Sequence, residues 1–373
     1  MIIGVPKEIK DNEYRVALVP SGARALTEAG HRVYVQSGAG LGSSITDQEY
    51  EEAGAVIKDT AMEVYGKADL VVKVKEPLYK EYRFLRDGLI LFTFLHLAAN
   101  EALVRSLLRS GGSALAYETL ETDDGRRPLL DPMSEIAGKL SVQIGARYLQ
   151  KPEGGAGVLL GGARGAEKGK TVVLGAGMVG SNAAGVAHAL GAKVVLLDKN
   201  TERLEEVATG LRARPGGGEV STMEATEENI AKGVREADLL IGAVHSTGRR
   251  TPRLVTREMV GTMKNGSVVV DVSVDQGGCI ETTHPTTHSN PVYEIDGVLH
   301  YGVANMPGAV PRTATFALTE ATLPYILEIA NLGLKRAAQE DAAIRRAVNI
   351  ALGRVTNRGV AEAMGREYVP YEP

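Results

Sequence analysis

The sequence predicts an α/β protein built of two doubly wound, Rossmann-like domains joined by long helices. Three observations carry this. The chain has 373 residues, which at ~100–200 residues per domain is enough for two. Short β-branched runs alternate with amphipathic stretches in two separate series, the mark of βαβ units and mostly parallel sheets. The second series opens with a strand that runs into a glycine-rich turn and then an alanine-rich helix.

In the first series, strands are expected at 2–5, 32–36, 55–57, 70–74, 89–94 and 113–117, with helices at 21–29 and 100–109 between them. Ser21 and Asn100 stand where helix N-caps belong, and Gly30 stands at the C′ position of the earlier helix. From Asp131 to Gln150, the apolar residues Met133, Ile136, Leu140, Ile144 and Tyr148 recur near a 3.6-residue spacing, which predicts a long connecting helix. Residues 154–169 follow as a glycine-rich loop. The second series begins at Lys170, with strands expected at 171–174, 193–197, 239–243, 267–270 and 298–303 and a helix at 182–190. Beyond Asn305 the pattern is helical, over 311–328 and 341–352, with no further strand. Folding this tail back onto the first series gives a discontinuous substrate domain, 1–130 plus 306–373, and a nucleotide domain, 131–305. No long repeat or low-complexity segment is present, so solenoids and fibres drop out.

The composition, 44% hydrophobic and 24% charged, is that of an ordinary globular chain and excludes disorder as the main state. The formal charge, 42 − 46 = −4, with both signs scattered, provides no footprint for nucleic acid or an anionic membrane, so small molecules are the expected partners. The lone cysteine, Cys279, cannot form an intramolecular disulfide and argues against a structural zinc cluster, as expected in a reducing compartment. The longest apolar run, 89–99, is broken by Thr93 and His96 and falls far short of the ~20 residues of a spanning helix. The early Lys7, Glu8 and Lys10, with no apolar region, do not read as a signal peptide. A cytoplasmic, unanchored protein is expected.

The sharpest local signal is TVVLGAGMVG, with Gly175, Gly177 and Gly180 in G-x-G-x-x-G spacing and Asp198 ending the next strand, KVVLLD. Gly175 suits a tight turn, Gly177 lets backbone approach a pyrophosphate, and Gly180 lets helix pack on strand, while the helix N-terminus donates N–H groups. Met178 and Val179, within the fingerprint, join these glycines as cofactor-binding candidates. Asp198 would accept from the ribose hydroxyls and repel a 2′-phosphate, favouring NAD over NADP, although Lys199 lies next to it. The alternative is a glycine turn with no ligand.

Four residues outside the fingerprint stand out. Lys75 ends LVVKVKEP, where strand alternation puts Lys73 and Lys75 on one face, so either is a ligand or a solvated companion. His96, in LILFTFLHLAAN, is a catalytic or a core histidine. Arg15, in the turn KDNEYRVALVP, forks onto a carboxylate or makes a surface salt bridge. Asp271, closing SVVVD at a strand's carboxyl end, faces a crevice or caps the next turn.

Together these segments resemble the L-alanine dehydrogenases. GVPKEIKDNEYRVALVP, KVKEP, LFTFLHLA, PLLDPMSEIAG, GAGMVG, VVVDVSVDQGGCIE and VANMPGAVPRTAT are similar to that family in order and spacing, from Met1 to about Leu352. The proton-translocating transhydrogenase subunits share the N-terminal pattern but lack the KVKEP lysine and FLH histidine together; the saccharopine dehydrogenases share the architecture. The resemblance implies NAD as cofactor and a pyruvate/alanine site in the inter-domain cleft. In it Arg15 and Lys75 bind substrate, His96 is the acid–base residue and Asp271 a second catalytic group. It further implies that Ser134, Asn305 and Met306 touch the cofactor, that Asp198 is the ribose acid, and that the protein is a homo-oligomer, by family a hexamer. The segment RARPGGGEV departs from the pattern and leaves the adenine pocket unassigned.

Oxidation of L-alanine to pyruvate, ammonium and NADH, or the reverse, moves several protons, a task suited to an imidazole, whose unperturbed pKa is ~6.5. Two rivals stand beside this reading: a non-catalytic NAD(H) sensor, which has no need of the Arg15, Lys75, His96 and Asp271 set, and a lysine-type or saccharopine-type dehydrogenase. His284 and His288 have i, i+4 spacing, but Pro285 opposes the helix a zinc pair would use, so no metal is expected. Cys279 reads as a buried small hydrophobe and His245 as a second-choice crevice histidine.

Overall fold

The computed structural model of the chain describes residues 1–244 and 251–373; His245 lies outside the described residues. The chain divides into two compact units, Met1–Met133 with Val310–Pro373, and Ser134–Ala309. In chain order the strands are β1 (Ile2–Val5), β2 (Arg32–Gln36), β3 (Val56–Lys58), β4 (Leu70–Val72), β5 (Ile90–Thr93) and β6 (Ser113–Ala116). Next come β7 (Lys170–Leu174), β8 (Lys193–Asp198), β9 (Glu219–Glu224), β10 (Leu239–Gly242), β11 (Val268–Asp271), β12 (Val292–Ile295) and β13 (Val298–Tyr301). The C-terminal pair is β14 (Val348–Ala351) and β15 (Arg354–Val355).

The sheet of the first unit runs β15, β14, β6, β5, β4, β1, β2, β3, parallel from β6 to β3. The sheet of the second runs β12, β13, β11, β10, β7, β8, β9, parallel except at β12. Central strands such as β4 (LVV), β5 (ILFT) and β10 (LLIG) are buried along their whole length, which is why they read as apolar runs rather than as alternating ones. Among the described residues no helix is long and apolar enough to cross a membrane.

Strands β9 and β12 are not among the expected elements, and others differ in their bounds or type. The first helix is Pro20–Glu28 with Val19 as N-cap, so Ser21 lies inside it; proline at N1, with φ already near the helical value, starts the helix without a side-chain cap. Asn100 does cap, its side chain accepting from Leu103 N at 3.1 Å. The helix after the glycine turn begins at Met178 rather than Asn182. Strand β4 ends at Val72 rather than Val74, although bonds to β5 carry on beyond it, from Lys73 N to Phe92 O at 3.2 Å and from Phe94 N to Val74 O at 3.3 Å. In the tail, the helix Pro311–Glu340 bends at Gly333 and the helix Ala342–Ala347 is short. The expected helix over 341–352 then gives way to β14, which pairs antiparallel with β6. Val348 and Ile350 are β-branched and fully buried, and a run this short carries no helical period to separate it from strand.

Lys73, the residue after β4, ties this segment into the core. Its ammonium is fully buried, 3.0 Å from Glu8 Oε2 and 3.0 Å from Glu81 Oε1. Glu8 Oε1 accepts from Val74 N at 2.7 Å and Lys75 N at 3.3 Å, while Glu81 takes Leu78 N at 2.9 Å and the Tyr65 hydroxyl at 3.1 Å. Burial pushes the Glu8 carboxyl up. Burial disfavours the Lys73 charge too, but the two carboxylates outweigh it and the lysine keeps its proton. Replacing Lys73 by Met leaves two buried carboxylates without their cation, and the expected loss on urea unfolding is about 3–5 kcal/mol. A loss under ~1 kcal/mol, the range of an exposed pair, would show that the triad is not what holds this segment.

Candidate active site

Ligands of open parallel sheets lie beyond the carboxyl ends of the strands, where the strand order reverses. In the first unit that point falls at β4 and β1, and the loops leaving β1, β4 and β5 carry the residues singled out by sequence.

Arg15, in the loop after β1, is buried, and so is Glu13, which grips it in a fork: Nε donates to Oε1 and Nη2 to Oε2, both at 2.6 Å. Nη1 lies 3.2 Å from Met133 Sδ. The surface-salt-bridge reading of Arg15 therefore fails on burial; the guanidinium plane is fixed by a partner two residues away. Lys75, just past β4, is half-buried, its backbone held by Glu8. Among the described residues no hydrogen bond or ion pair engages Lys75 Nζ. Burial, reinforced by the positive charges of Arg15 and Lys10, lowers its amine to about 8.

His96 lies three positions beyond the last residue of β5, with a side chain 45% exposed, so it is not a core histidine. Its backbone is left-handed (φ 48°, ψ 40°), uncommon outside glycine and costing of order 1–3 kcal/mol unless the surroundings impose it. They do: the Glu118 carboxylate accepts from His96 N at 2.7 Å and from Leu95 N at 3.2 Å. Glu76 Oε2 stands 3.6 Å from His96 Nδ1, and Glu76 Oε1 takes Lys10 Nζ at 2.6 Å. Burial would raise the Glu76 carboxyl, but the donors His96 and Lys10 prevail and hold it down at about 2.

In the second unit the order reverses at β10 and β7, and the glycine turn leaves β7 there. Gly175 has φ 102°, open to glycine at no cost, and a Cβ on Gly180 would stand 1.8 Å from Gly175 O, so only glycine lets the helix start this close to the turn. Among the described residues a Cβ on Gly177, the N-cap, would meet nothing within 4 Å, leaving Met178, Val179 and the first-turn N–H groups approachable by an anion. Asp198 ends β8 and braces the turn, accepting from Ala176 N at 2.7 Å and Asn200 N at 2.9 Å. Arg203 Nε donates to Ala176 O at 3.2 Å.

Asp271 ends β11 fully buried, and its carboxylate accepts from Ser273 N, Cys279 N, Ile280 N and Thr283 Oγ1, at 2.6–3.3 Å. Burial raises its carboxyl. Of the two readings, the geometry is that of a carboxylate holding the turn 271–283. Ser134 lies half-buried in the first turn of the helix Asp131–Tyr148. Asn305 is half-buried beyond β13, and Met306 is in the core. The remaining candidates are engaged elsewhere: His284 stacks on Tyr293, and His288 Nε2 lies 2.9 Å from Asn305 O. The Cys279 thiol is pushed well up by burial and by Asp271. Among the described residues no group of three His, Cys, Asp or Glu is arranged to hold a metal.

Sequence reasoning missed Glu8, Glu13, Glu76 and Glu118. Glu13 and Glu76 sit within two positions of residues it did select, and that adjacency was the available signal; Glu118 is brought to His96 only by the pairing of β5 with β6.

Sequence profiles described as "Alanine dehydrogenase/PNT, N-terminal domain" and "Alanine dehydrogenase/PNT, C-terminal domain" match residues 4–137 and 141–358. An alanine dehydrogenase of Methanococcus maripaludis is 52% identical over 373 residues, covering 100% of this chain and 99% of its own. A solved L-alanine dehydrogenase superposes with a TM-score of 0.93 at 50% identity over 98% of this chain and 99% of its own. A transhydrogenase from Sinorhizobium meliloti gives 0.81 at 28% identity over 96% and 99%.

The lowered amine has a measurable sign. Below about pH 8 the folded protein bears the cost of a charged, half-buried Lys75, and the cost fades as pH climbs towards the ~10.4 of an unfolded lysine. Over that window the Tm of the wild type should gain on that of Lys75→Met. A constant gap between the two would show an ordinary lysine.

Proposed function

Because the chain belongs to the alanine dehydrogenase/PNT family, we propose that it catalyses the NAD-dependent oxidative deamination of L-alanine to pyruvate, ammonium and NADH, and the reverse reductive amination. The observation that carries the reading is the gathering of Arg15, Lys75, Glu76 and His96 at the carboxyl ends of adjoining strands, with a lysine tuned to about 8 among them. A nucleotide sensor has no use for that chemistry.

The glycine turn fits a dinucleotide: open space at Gly177, a free helix N-terminus and a carboxylate at the end of β8. Gly175, Gly177, Met178, Val179 and Gly180 would hold its pyrophosphate, Asp198 its ribose, and Ser134, Asn305 and Met306 further parts. Asp198 carries negative charge to the place where NADP differs from NAD, which supports NAD. When bound, the nicotinamide takes up the hydride that leaves the substrate Cα.

The protein's own residues do the rest. Arg15, its plane fixed by Glu13, presents a cation to the substrate carboxylate and sets its orientation. Glu76, ionised and facing Nδ1, favours the His96 tautomer with its proton on that nitrogen and leaves Nε2 as the base. His96 then removes a proton from the water that attacks the substrate iminium carbon and returns it to the departing amine nitrogen. As the C–N bond breaks and ammonia leaves, His96, free of its proton again, takes the carbinolamine hydroxyl proton so that the pyruvate carbonyl forms, and Lys75 hydrogen-bonds that oxygen, stabilising the charge it bears as the proton departs. Asp271 acts by holding the 271–283 turn rather than by moving a proton. The single cysteine supports a cytoplasmic setting, and the family resemblance supports a homohexamer; a monomer in light scattering would remove the latter.

The primary test follows NADH absorbance from NAD and L-alanine at mildly alkaline pH, with D-alanine, L-lysine and NADP as controls and pyruvate plus ammonium in reverse. Turnover confined to L-alanine with NAD is expected. NADH binding without turnover in either direction would favour the sensor. His96→Ala should lower kcat by roughly 10²–10⁴, and wild-type turnover in that variant would take His96 out of the mechanism.

A further inference from the structure

The histidine that looked like half of a metal pair has a different partner. His288 Nε2 lies 2.9 Å from the carbonyl oxygen of Asn305, which also accepts from Gly308 N at 2.9 Å, at the start of the short helical turn Met306–Ala309. The contact is not isolated. Thr286 pairs in parallel with Val303, and its N–H donates to Gly302 O at 2.8 Å. A Cβ on Gly302 would stand 2.4 Å from His284 O, so the two backbones are pressed together there. The Thr286 hydroxyl reaches Pro291 O at 3.0 Å, and Asn290 N closes onto Thr287 O at 3.1 Å. Residues 284–291 thus form a strap tied along 302–305, and His288 is its polar end.

The strapped segment lies directly beyond the carboxyl end of β13, which neighbours β11. Asp198, the ribose candidate, lies on the other side of the reversal point, at the end of β8. A dinucleotide laid across the glycine turn with its adenosine on the β8 side extends its other half over β10, β11 and β13. We propose that His288 is a positioning residue for the nicotinamide half of the dinucleotide, acting by donating from Nε2 to Asn305 O and so fixing the backbone that this half meets. The proposal rests on the nucleotide site assigned above.

The test titrates the full-length protein with NADH and, separately, with ADP-ribose, which lacks the nicotinamide. His288→Ala should weaken NADH about five-fold, the order expected for one neutral hydrogen bond, and leave ADP-ribose unchanged. The KM for NAD should rise in step, with kcat at saturating NAD within two-fold of wild type, by about the same argument. His288→Gln, whose amide nitrogen reaches the position of Nε2, should restore NADH binding. Unchanged NADH affinity in His288→Ala overturns the proposal. So does equal weakening of both ligands, which marks a general disturbance of the unit, and so does failure of the Gln variant to restore. Wild-type protein that binds neither nucleotide would overturn the site itself, an outcome distinct from the others.

Discussion

Much of the first unit's chemistry depends on one buried carboxylate. Glu8, just beyond β1, neutralises the fully buried Lys73 with one oxygen and accepts the N–H groups of Val74 and Lys75 with the other. On the other side the segment stays tied to β5, with Lys73 N donating to Phe92 O at 3.2 Å and Phe94 N to Val74 O at 3.3 Å. A buried ion pair of this kind gives little net stability against an apolar replacement, since desolvating two charges consumes most of the attraction. Its contribution is geometric: it fixes the backbone from which Lys75 projects.

The parallel sheet imposes the second constraint. Each parallel strand delivers its following loop to the same edge, so β1, β4, β5 and β6 bring Arg15, Lys75, His96 and Glu118 to one end of the sheet though they are spread over a hundred residues of chain. The left-handed backbone at His96 shows that this delivery is specific. A non-glycine residue is kept in that conformation by a carboxylate from the next strand's loop, which takes the two N–H groups the turn exposes.

The fold class was legible in the sequence because strand runs and helical stripes alternate in both series, even though β9 and β12 were not picked out. The glycine turn was legible because each glycine answers a separate steric demand. The strand β14 was not: the buried VNIA stretch satisfies strand and helix patterns alike, and only its pairing with β6 decides. The cations and the imidazole of the candidate site could be picked out, but their carboxylates could not. A glutamate in a polar loop has the same local signature whether it is solvated or buried, and Glu8, Glu13 and Glu76 differ from surface glutamates only through contacts made by folding.

Those carboxylates also decide which group of the site is chemically adjustable. Arg15 has Glu13, Lys73 has Glu8 and Glu81, and Lys10 shares Glu76 with His96. Lys75 is set in the same region without a carboxylate bonded to its amine, so burial and two neighbouring cations act on it with little opposition. It is brought down to about 8, while Lys73, more deeply buried, is held charged by its two carboxylates. The distribution of glutamates over the loops therefore separates a lysine held charged by two carboxylates from one lowered by burial two residues away.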